Sequence, residues 1–243
     1  MVVIATDSER HNIAPLVSRI RKSAPQEPIL FADDASPDGT AEEIRGLQKS
    51  DPTVQLLVRR CKRGYGAACR EALQKIINEK LADYVIQMDA DLSQPPEALP
   101  RMIELLKSCP VVVGSRYTRG GGTQNWDWRR RWLSRGGNLY ARTLTGVPVR
   151  DLTAGFVGYQ VESLKKIDLE SSHSEGYAFL MEMKFSLHQA GVRFCEFPIV
   201  FTERELGKSK FNRRIMLEGV RYPWKALAQR LFYRNQASAV AAL

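Results

Sequence analysis

The sequence predicts an α/β fold with a mostly parallel central sheet that is flanked by helices. Two observations predict it: apolar runs of strand length alternate with helical patterns, and acidic side chains follow several of these runs. A hydrophobic content of 44% predicts a packed core. Strands that alternate with helices favour parallel pairing, because each helix returns the chain to the edge of the sheet where the last strand began. A chain of 243 residues suits one large domain or two small ones.

The predicted strands are five apolar runs in the first half of the chain and a longer run near its end. They cover residues 2–4, 29–32, 54–58, 84–88, 111–113 and 192–201. The helical patterns are a shared apolar face of Ile13, Leu16, Val17 and Ile20, a segment opened by a capping box of Thr40 and Glu43, residues 67–77, and residues 97–106 after Pro95 and Pro96. Gly120, Gly121 and Gly122 predict a loop.

Acidic side chains stand at the predicted carboxyl ends of the strands, where ligands bind in sheets of this class. Asp89 and Asp91 follow the fourth strand with one residue between them, so both carboxylates can reach one cation. Carboxylate oxygens suit Mg²⁺ or Mn²⁺, and the pair therefore predicts a metal site. Asp34 follows the second strand and is placed to accept hydrogen bonds from a nucleotide, while Pro37 to Gly39 predict a turn.

The chain carries 36 Lys and Arg against 27 Asp and Glu, a formal net charge of +9, which favours an anionic partner. Arginines are frequent over residues 116–150, where Trp126, Trp128 and Trp132 alternate with them. This pattern is typical of membrane-surface or nucleic-acid contacts. We expect no nucleic-acid partner, because the rim of carboxylates would repel nucleic-acid phosphates unless a cation intervened.

The C-terminal tail is basic and amphipathic from residue 211 onward. Trp224, Leu227, Leu231 and Phe232 are placed to form the apolar face of a helix that lies on a membrane surface. The alternative is that this face packs on the domain or on a partner subunit. No run of about 18 apolar residues is present, so no spanning helix is expected.

The four cysteines show no C-x-x-C spacing, and we expect buried or free thiols in a reducing cytosol. The sequence opens without the pattern of a signal peptide, since acidic residues follow the first short apolar run. We therefore expect a cytoplasmic protein that is peripheral at the cytoplasmic face of a membrane.

Eight stretches carry a resemblance to a known family. They are DDASPDGTAEEI, GYGAA, MDADLSQPPEALP, VVGSRYTRGGG, RRRWLSRGGN, DLTAGF, EGYAFLMEM and EFPIVFTERELGKSK. In this order they resemble the polyprenol-phosphate (dolichol-phosphate) mannose synthases, which belong to the inverting glycosyltransferases of GT-A fold. The resemblance implies a catalytic domain over residues 1–212, with a nucleotide-sugar half (1–115) and an acceptor half (116–212), followed by the tail (213–243).

The resemblance also implies a role for each matching residue. Glu9 and Asp34 would hold the nucleoside of the donor, and the stretch Asp89-Ala90-Asp91 would hold Mg²⁺ or Mn²⁺ against its diphosphate. Arg204 and Lys210 would close over that diphosphate. The residues implied to bind the lipid phosphate are Arg116, Arg130 and Ser134, and those implied to be catalytic are Asp91, Arg116, Arg130 and Arg204.

The implied reaction transfers mannose from GDP-mannose to a polyprenyl phosphate with inversion, on a membrane surface or beside a membrane-embedded partner. The first strand ends Ala5-Thr6-Asp7-Ser8-Glu9, where the family usually has Pro-Thr-Tyr-Asn-Glu. This difference leaves open a UDP-glucose-dependent enzyme that uses the same lipid phosphate. A non-catalytic homologue that acts as a partner subunit is the remaining alternative. Ser93 also stands where several relatives carry a glutamine.

Overall fold

The structure is a computed structural model that describes residues 1–60, 64–171, 174–203 and 213–241. The strands are β1 (Val2–Thr6), β2 (Ile29–Asp33), β3 (Val54–Val58), β4 (Tyr84–Asp89), β5 (Val111–Ser115), β6 (Gly122–Gln124), β7 (Val157–Gln160), β8 (Phe194–Pro198) and β9 (Val200–Thr202). The helices are α1 (Arg10–Ser23), α2 (Thr40–Gln48), α3 (Tyr65–Glu79), α4 (Leu99–Leu106), α5 (Trp128–Thr145), α6 (Val161–Leu164), α7 (Gly176–Gln189) and α8 (Arg213–Ala241).

The central sheet has the strand order β3-β2-β1-β4-β7-β5-β8, and β6 pairs with β9 in a small second sheet. Within the central sheet, β7 runs antiparallel to β4 and β5, and the other pairs are parallel. The register sets Thr6 beside Asp33 and Ala5 beside Asp89, so the carboxyl ends of β1, β2 and β4 form one edge. The predicted mostly parallel α/β fold is confirmed.

Helices cover both faces of the central sheet. On β1, Val2 and Ile4 point to a core that they share with α1 and α4, while Val3 and Ala5 point to a core with α3 and α7. Successive side chains of a strand point to opposite faces, so a strand that is buried on both faces has a continuous apolar sequence. This explains why the short apolar runs predicted these strands.

Three local predictions were wrong in whole or in part. The loop predicted at the three glycines covers Gly120 and Gly121 only, because Gly122 begins β6, and the strand predicted over 192–201 is divided into β8 and β9. The capping box is also absent: Gly39 precedes α2 with a positive φ of 87°, and the Thr40 hydroxyl donates to Asp38 Oδ1. Thr40 Oγ1 in turn accepts from the backbone N–H of Glu9, so it joins two loops rather than capping its own helix.

The tail helix α8 packs on the domain through a face that the sequence pattern did not predict. Tyr222 and Ala226 are buried against the core that contains α7. The Tyr140 hydroxyl of α5 donates to the carbonyl oxygen of Val220 at 2.8 Å. Trp224 and Phe232 of the predicted apolar face are exposed. None of the helices in the described part of the chain is long and apolar enough to cross a bilayer.

Cys109 and Cys195 form a disulfide, so the expectation of buried or free thiols was wrong for these two residues. Cys109 lies two residues before β5 and Cys195 lies in β8, the parallel neighbour of β5, which brings their Cα atoms to 6.3 Å. Their separation of 86 residues gave no signal in the sequence. Cys69 is a buried free thiol, as expected.

Candidate active site

The acid pair lies at the carboxyl end of β4, and hydrogen bonds hold both carboxylates. Asp89 Oδ1 accepts from the Tyr65 hydroxyl at 2.9 Å, and Asp89 Oδ2 accepts from Gln94 Nε2 at 2.7 Å. Asp91 is buried, and its Oδ1 accepts from the backbone N–H of Ser93 at 3.1 Å. Burial, followed by the charge of Asp89, raises the pKa of the Tyr65 phenol well above its ordinary value. Tyr65 therefore stays a neutral donor that orients Asp89.

Of the two acids at the end of β2, Asp33 has a structural role and Asp34 lies in an ion pair. Asp33 accepts from the Thr6 hydroxyl at 3.0 Å and from the backbone N–H of Ser36 at 3.0 Å, which fixes the turn after β2. Asp34 is buried, where it pairs with Arg59 and accepts from the backbone N–H of Gly64 at 2.7 Å.

Glu9 lies just before α1. Its carboxylate accepts from Asn12 Nδ2 at 2.7 Å, and its backbone N–H donates to Thr40. Glu9 and Asp34 thus belong to two loops that follow adjacent strands and are tied together by hydrogen bonds. That arrangement suits the predicted nucleoside site, although neither side chain lines the cavity described below.

Arg116, which follows β5, is held by Asp151. Its Nε and Nη2 atoms each donate to a different oxygen of that carboxylate at 2.7 Å, and its backbone N–H donates to Asp151 Oδ2 at 2.9 Å. Asp151 is fully buried and the Arg116 side chain is 7% exposed. Arg116 was predicted to bind the lipid phosphate, but in this structure the Nε and Nη2 atoms of its guanidinium bind Asp151.

Arg130 stands in the first turn of α5, where the Asp127 carboxylate caps the helix by accepting the Arg130 backbone N–H at 2.8 Å. Its guanidinium carbon lies 4.1 Å from the centre of the Trp126 ring, and one of its nitrogens pairs with Glu203. Ser134, one turn further along α5, shares a 2.6 Å hydrogen bond with the Tyr117 hydroxyl. The stacking on Trp126 fixes the position of the Arg130 guanidinium.

A cavity of about 70 Å³ brings the predicted acids and cations together. Its lining includes Asp89, Asp91, Arg116, Arg130, Gln94, Trp126, Thr153, Gly155 and Phe201. Ser134 and Ala90 are not part of this lining, and Arg204 and Lys210 lie outside the described residues. The structure thus places four of the predicted site residues, two carboxylates and two guanidinium groups, around one space.

Lys184 is a buried lysine beside the site, and the sequence analysis missed it. It lies in α7, is fully buried, and donates from Nζ to the carbonyl oxygens of Ala154 at 2.8 Å and Leu180 at 3.3 Å. Burial lowers its pKa to about 7, while Asp151 opposes that change. Because Ala154 lines the cavity, Lys184 fixes the position of one wall.

The carboxylates at the end of β4 fit a divalent cation that keeps part of its water shell. Gly155 lies beside them, and a Cβ atom at that position would stand 3.1 Å from Asp89 Oδ2. The missing side chain keeps the space next to this carboxylate open. Within the residues that the structure describes, no group of three or more His, Cys, Asp or Glu gathers as a metal cluster. Mg²⁺ is commonly held by one or two carboxylates together with water and substrate phosphates.

The chain matches a known protein family over most of its length. The profile described as Glycosyl transferase family 2 matches residues 1–168. The chain is 38% identical to undecaprenyl-phosphate mannosyltransferase of Micrococcus luteus over 220 residues, which cover 90% of each chain. It is 40% identical to polyprenol monophosphomannose synthase of Mycolicibacterium smegmatis over 214 residues, which cover 87% of this chain and 80% of the relative.

Among solved structures, the fold is similar to that of glucosyl-3-phosphoglycerate synthase from Mycobacterium tuberculosis in complex with Mn²⁺, UDP and glucosyl-3-phosphoglycerate. The TM-score is 0.63 at 16% identity, and the match covers 91% of this chain and 76% of the other. At this identity the likeness concerns the fold alone. It confirms the predicted GT-A fold.

Proposed function

The chain belongs to glycosyl transferase family 2 and is a glycosyltransferase, and on that premise we propose that it transfers mannose from GDP-mannose to a polyprenyl phosphate. The products would be polyprenyl-phosphate-mannose and GDP, with inversion at the anomeric carbon. Two bacterial relatives are named for mannosyl transfer to lipids of this class. The observation that carries the proposal is the cavity in which Asp89 and Asp91 lie together with Arg116 and Arg130.

We assign the donor side of this cavity to the acid pair. Asp89 and Asp91 would hold Mg²⁺ or Mn²⁺ there, and Tyr65 and Gln94 orient Asp89 for that task. A bound cation would neutralise the charge that gathers on the leaving diphosphate, and such electrostatic stabilisation is usually the largest catalytic contribution. Glu9 and Asp34 would contact the nucleoside, and Arg204 and Lys210 are assigned to the diphosphate by the resemblance alone.

We assign the acceptor side to cations. Arg130 has a half-exposed guanidinium and would exchange Glu203 for the acceptor phosphate, next to Ser134 on the same helix. Two nitrogens of the Arg116 guanidinium already bind Asp151. Arg116 would therefore supply positive charge and hold the wall of the cavity in place through Asp151. A phosphate monoester is largely dianionic near pH 7, so the nucleophile needs no side-chain base. This agrees with a site that is rich in arginine on the acceptor side.

We also assign two exposed helical faces to attachment at the cytoplasmic surface of a membrane. The exposed apolar side chains are Trp128, Trp132, Leu133 and Leu139 on α5, and Met216, Leu217, Val220, Trp224, Leu231 and Phe232 on α8. Tryptophan favours the membrane interface, and neighbouring arginines favour anionic headgroups. A surface of this kind would bring the cavity to an acceptor that is carried in a bilayer. A membrane-embedded partner is the other occupant that such faces would fit.

The test is a transfer assay with labelled GDP-mannose or UDP-glucose, polyprenyl phosphate and Mg²⁺. We expect mannose to enter the lipid, EDTA to abolish transfer, and Asp91→Asn to lower turnover on the order of 100-fold. The matched control is Glu79→Gln, which removes an exposed carboxylate on α3 that is 51% exposed. Transfer from UDP-glucose in preference would move the assignment to a glucosyltransferase. Nucleotide binding without transfer from any donor would identify a non-catalytic partner subunit.

A further inference from the structure

A second cavity, of about 300 Å³, lies on the outer side of Arg116. It is bounded by α5 and by the segments on either side of it, and four of its lining residues are arginines: Arg116, Arg135, Arg142 and Arg150. The cavity is within the size range of small-molecule sites in proteins. It is distinct from the smaller cavity, because Arg116 is the single residue that lines both.

The charges around the second cavity are not balanced. Arg116 has Asp151 as its partner, but the side chains of Arg135, Arg142 and Arg150 form no salt bridge or hydrogen bond with any residue that the structure describes. The lining contains no carboxylate. Elsewhere on the domain, arginines such as Arg19 and Arg21 pair with acids. Three unpaired cations around one concavity repel one another, and a bound anion would relieve that repulsion.

The polar floor of this cavity is fixed by a buried network. Asn138 is 3% exposed, and its Nδ2 atom donates to the Ser134 carbonyl oxygen at 3.0 Å and to Thr153 Oγ1 at 3.1 Å. Asn138 Oδ1 accepts from the backbone N–H of Thr153 at 3.2 Å, and the Arg116 guanidinium donates to the same threonine. Arg116 and α5 are therefore held at a set distance, and the concavity between them is a built feature of the fold.

Arginine and apolar side chains alternate along the face of α5 that borders this cavity. Trp132, Arg135, Leu139 and Arg142 are three or four residues apart, so they lie along one side of the helix. Trp132 is 70% exposed and Leu139 is 65% exposed. An anion that binds the arginines would thus have apolar surface directly beside it, which is the arrangement that a phosphate attached to a hydrocarbon chain requires.

We propose that this cavity is an anion site that binds the phosphate group of a membrane lipid. Arginine suits the role because its planar guanidinium presents several donors to phosphate oxygens. The site does not require sugar transfer, and only the choice of a lipid as the carrier of the phosphate rests on the proposed function. The phosphate would come either from a bilayer phospholipid or from the polyprenyl phosphate before it reaches the smaller cavity.

The test compares the double variant Arg142→Gln/Arg150→Gln with Arg45→Gln/Arg101→Gln, which removes the same charge from two exposed arginines on α2 and α4. The first measurement is thermal unfolding with inorganic phosphate. Phosphate should raise the melting temperature of the wild type and of the control more than that of the site variant, because a ligand stabilises only the state that binds it. Without phosphate, the site variant should be at least as stable as the wild type, because it lacks two of the cations that repel one another.

The second and third measurements identify the carrier of the phosphate. One is binding to vesicles of phosphatidylcholine with phosphatidylglycerol, and the other is the KM for a short-chain polyprenyl phosphate in neutral detergent. A loss of vesicle binding on the order of tenfold relative to the control assigns the site to bilayer lipid. A comparable rise in KM with unchanged vesicle binding assigns it to the acceptor.

A site variant that matches the control in all three measurements overturns the proposal. A protein that transfers no mannose but loses phosphate stabilisation in the site variant refutes the proposed function and retains this site. If the protein transfers mannose normally and the site variant cannot be distinguished from the control variant, the proposed function is retained and this site is refuted.

Discussion

Breaking the ion pair between Arg116 and Asp151 on one side should cost more stability than breaking an exposed pair of the same geometry. Asp151→Asn keeps the shape of the side chain and removes the charge that two guanidinium nitrogens of the buried Arg116 bind. Asp151 is fully buried and Arg116 is 7% exposed, so water cannot replace the lost partner. Breaking a buried pair by removing one member costs about 3 to 5 kcal/mol. Asp151 also favours the charged form of Lys184, so removal of the Asp151 charge lowers the pKa of that lysine further.

The assay is urea unfolding of the wild type and the variant at neutral pH. The matched control is Glu97→Gln, because Glu97 also receives two hydrogen bonds from one guanidinium, that of Arg19, at 3.0 and 2.8 Å. That pair is 38% and 58% exposed, and its loss should cost about 1 kcal/mol or less. Adding Arg116→Met to Asp151→Asn should recover part of the loss, because the buried guanidinium that Asp151 no longer neutralises is then gone. A cost for Asp151→Asn no larger than that of the control would refute the reasoning.

Three further predictions concern pH, the membrane and the nucleotide. Burial lowers the pKa of Lys184 in the folded protein to about 7. Above that pH the unfolded chain binds more protons at this group than the folded protein does, so the group makes stability rise with pH between about pH 7 and pH 10. Lys184→Met should remove a rise of about 1.4 kcal/mol per pH unit, measured by urea unfolding at about pH 7 and pH 9, and an unchanged slope would contradict it. Trp132→Ser with Leu133→Ser should weaken partitioning onto anionic vesicles several-fold, because these side chains are 70% and 77% exposed; equal partitioning would count against membrane contact. GDP should raise the melting temperature more than UDP does, and the opposite order would favour the glucosyl alternative.

The strands that were predicted from the sequence are those with continuous apolar runs. A strand that is buried on both faces is apolar along its whole length, so it can be recognised without knowing which strands lie beside it. β7 was missed because its sequence, Val157 to Gln160, contains Gly158 and has no such run. Its place is decided by contacts with other elements: a Cβ atom at Gly158 would stand 2.8 Å from Leu106 Cδ1 of α4. Such packing constraints involve residues that are far apart in sequence.

The acid side of the site could be predicted because topology brings the ends of neighbouring parallel strands together. The partners of those acids could not. Gln94 is close to Asp89 in sequence but carries no charge to mark it, and Asp151 lies 35 residues from Arg116. Lys184 carried no signal, because no helix was predicted over residues 176–189. Only the packed structure shows that it is fully buried.

The measurement that tests the account most directly compares two acceptors that differ only in one phosphate. Purified protein, Mg²⁺ and labelled GDP-mannose are incubated with polyprenyl phosphate or with the same polyprenol without its phosphate. An alcohol would have to lose its proton to a positioned base during attack, whereas the phosphate is already ionised and is attracted by the arginines of the acceptor side. The account predicts mannosyl transfer to the phosphate and none to the alcohol. Efficient transfer to the alcohol would contradict it.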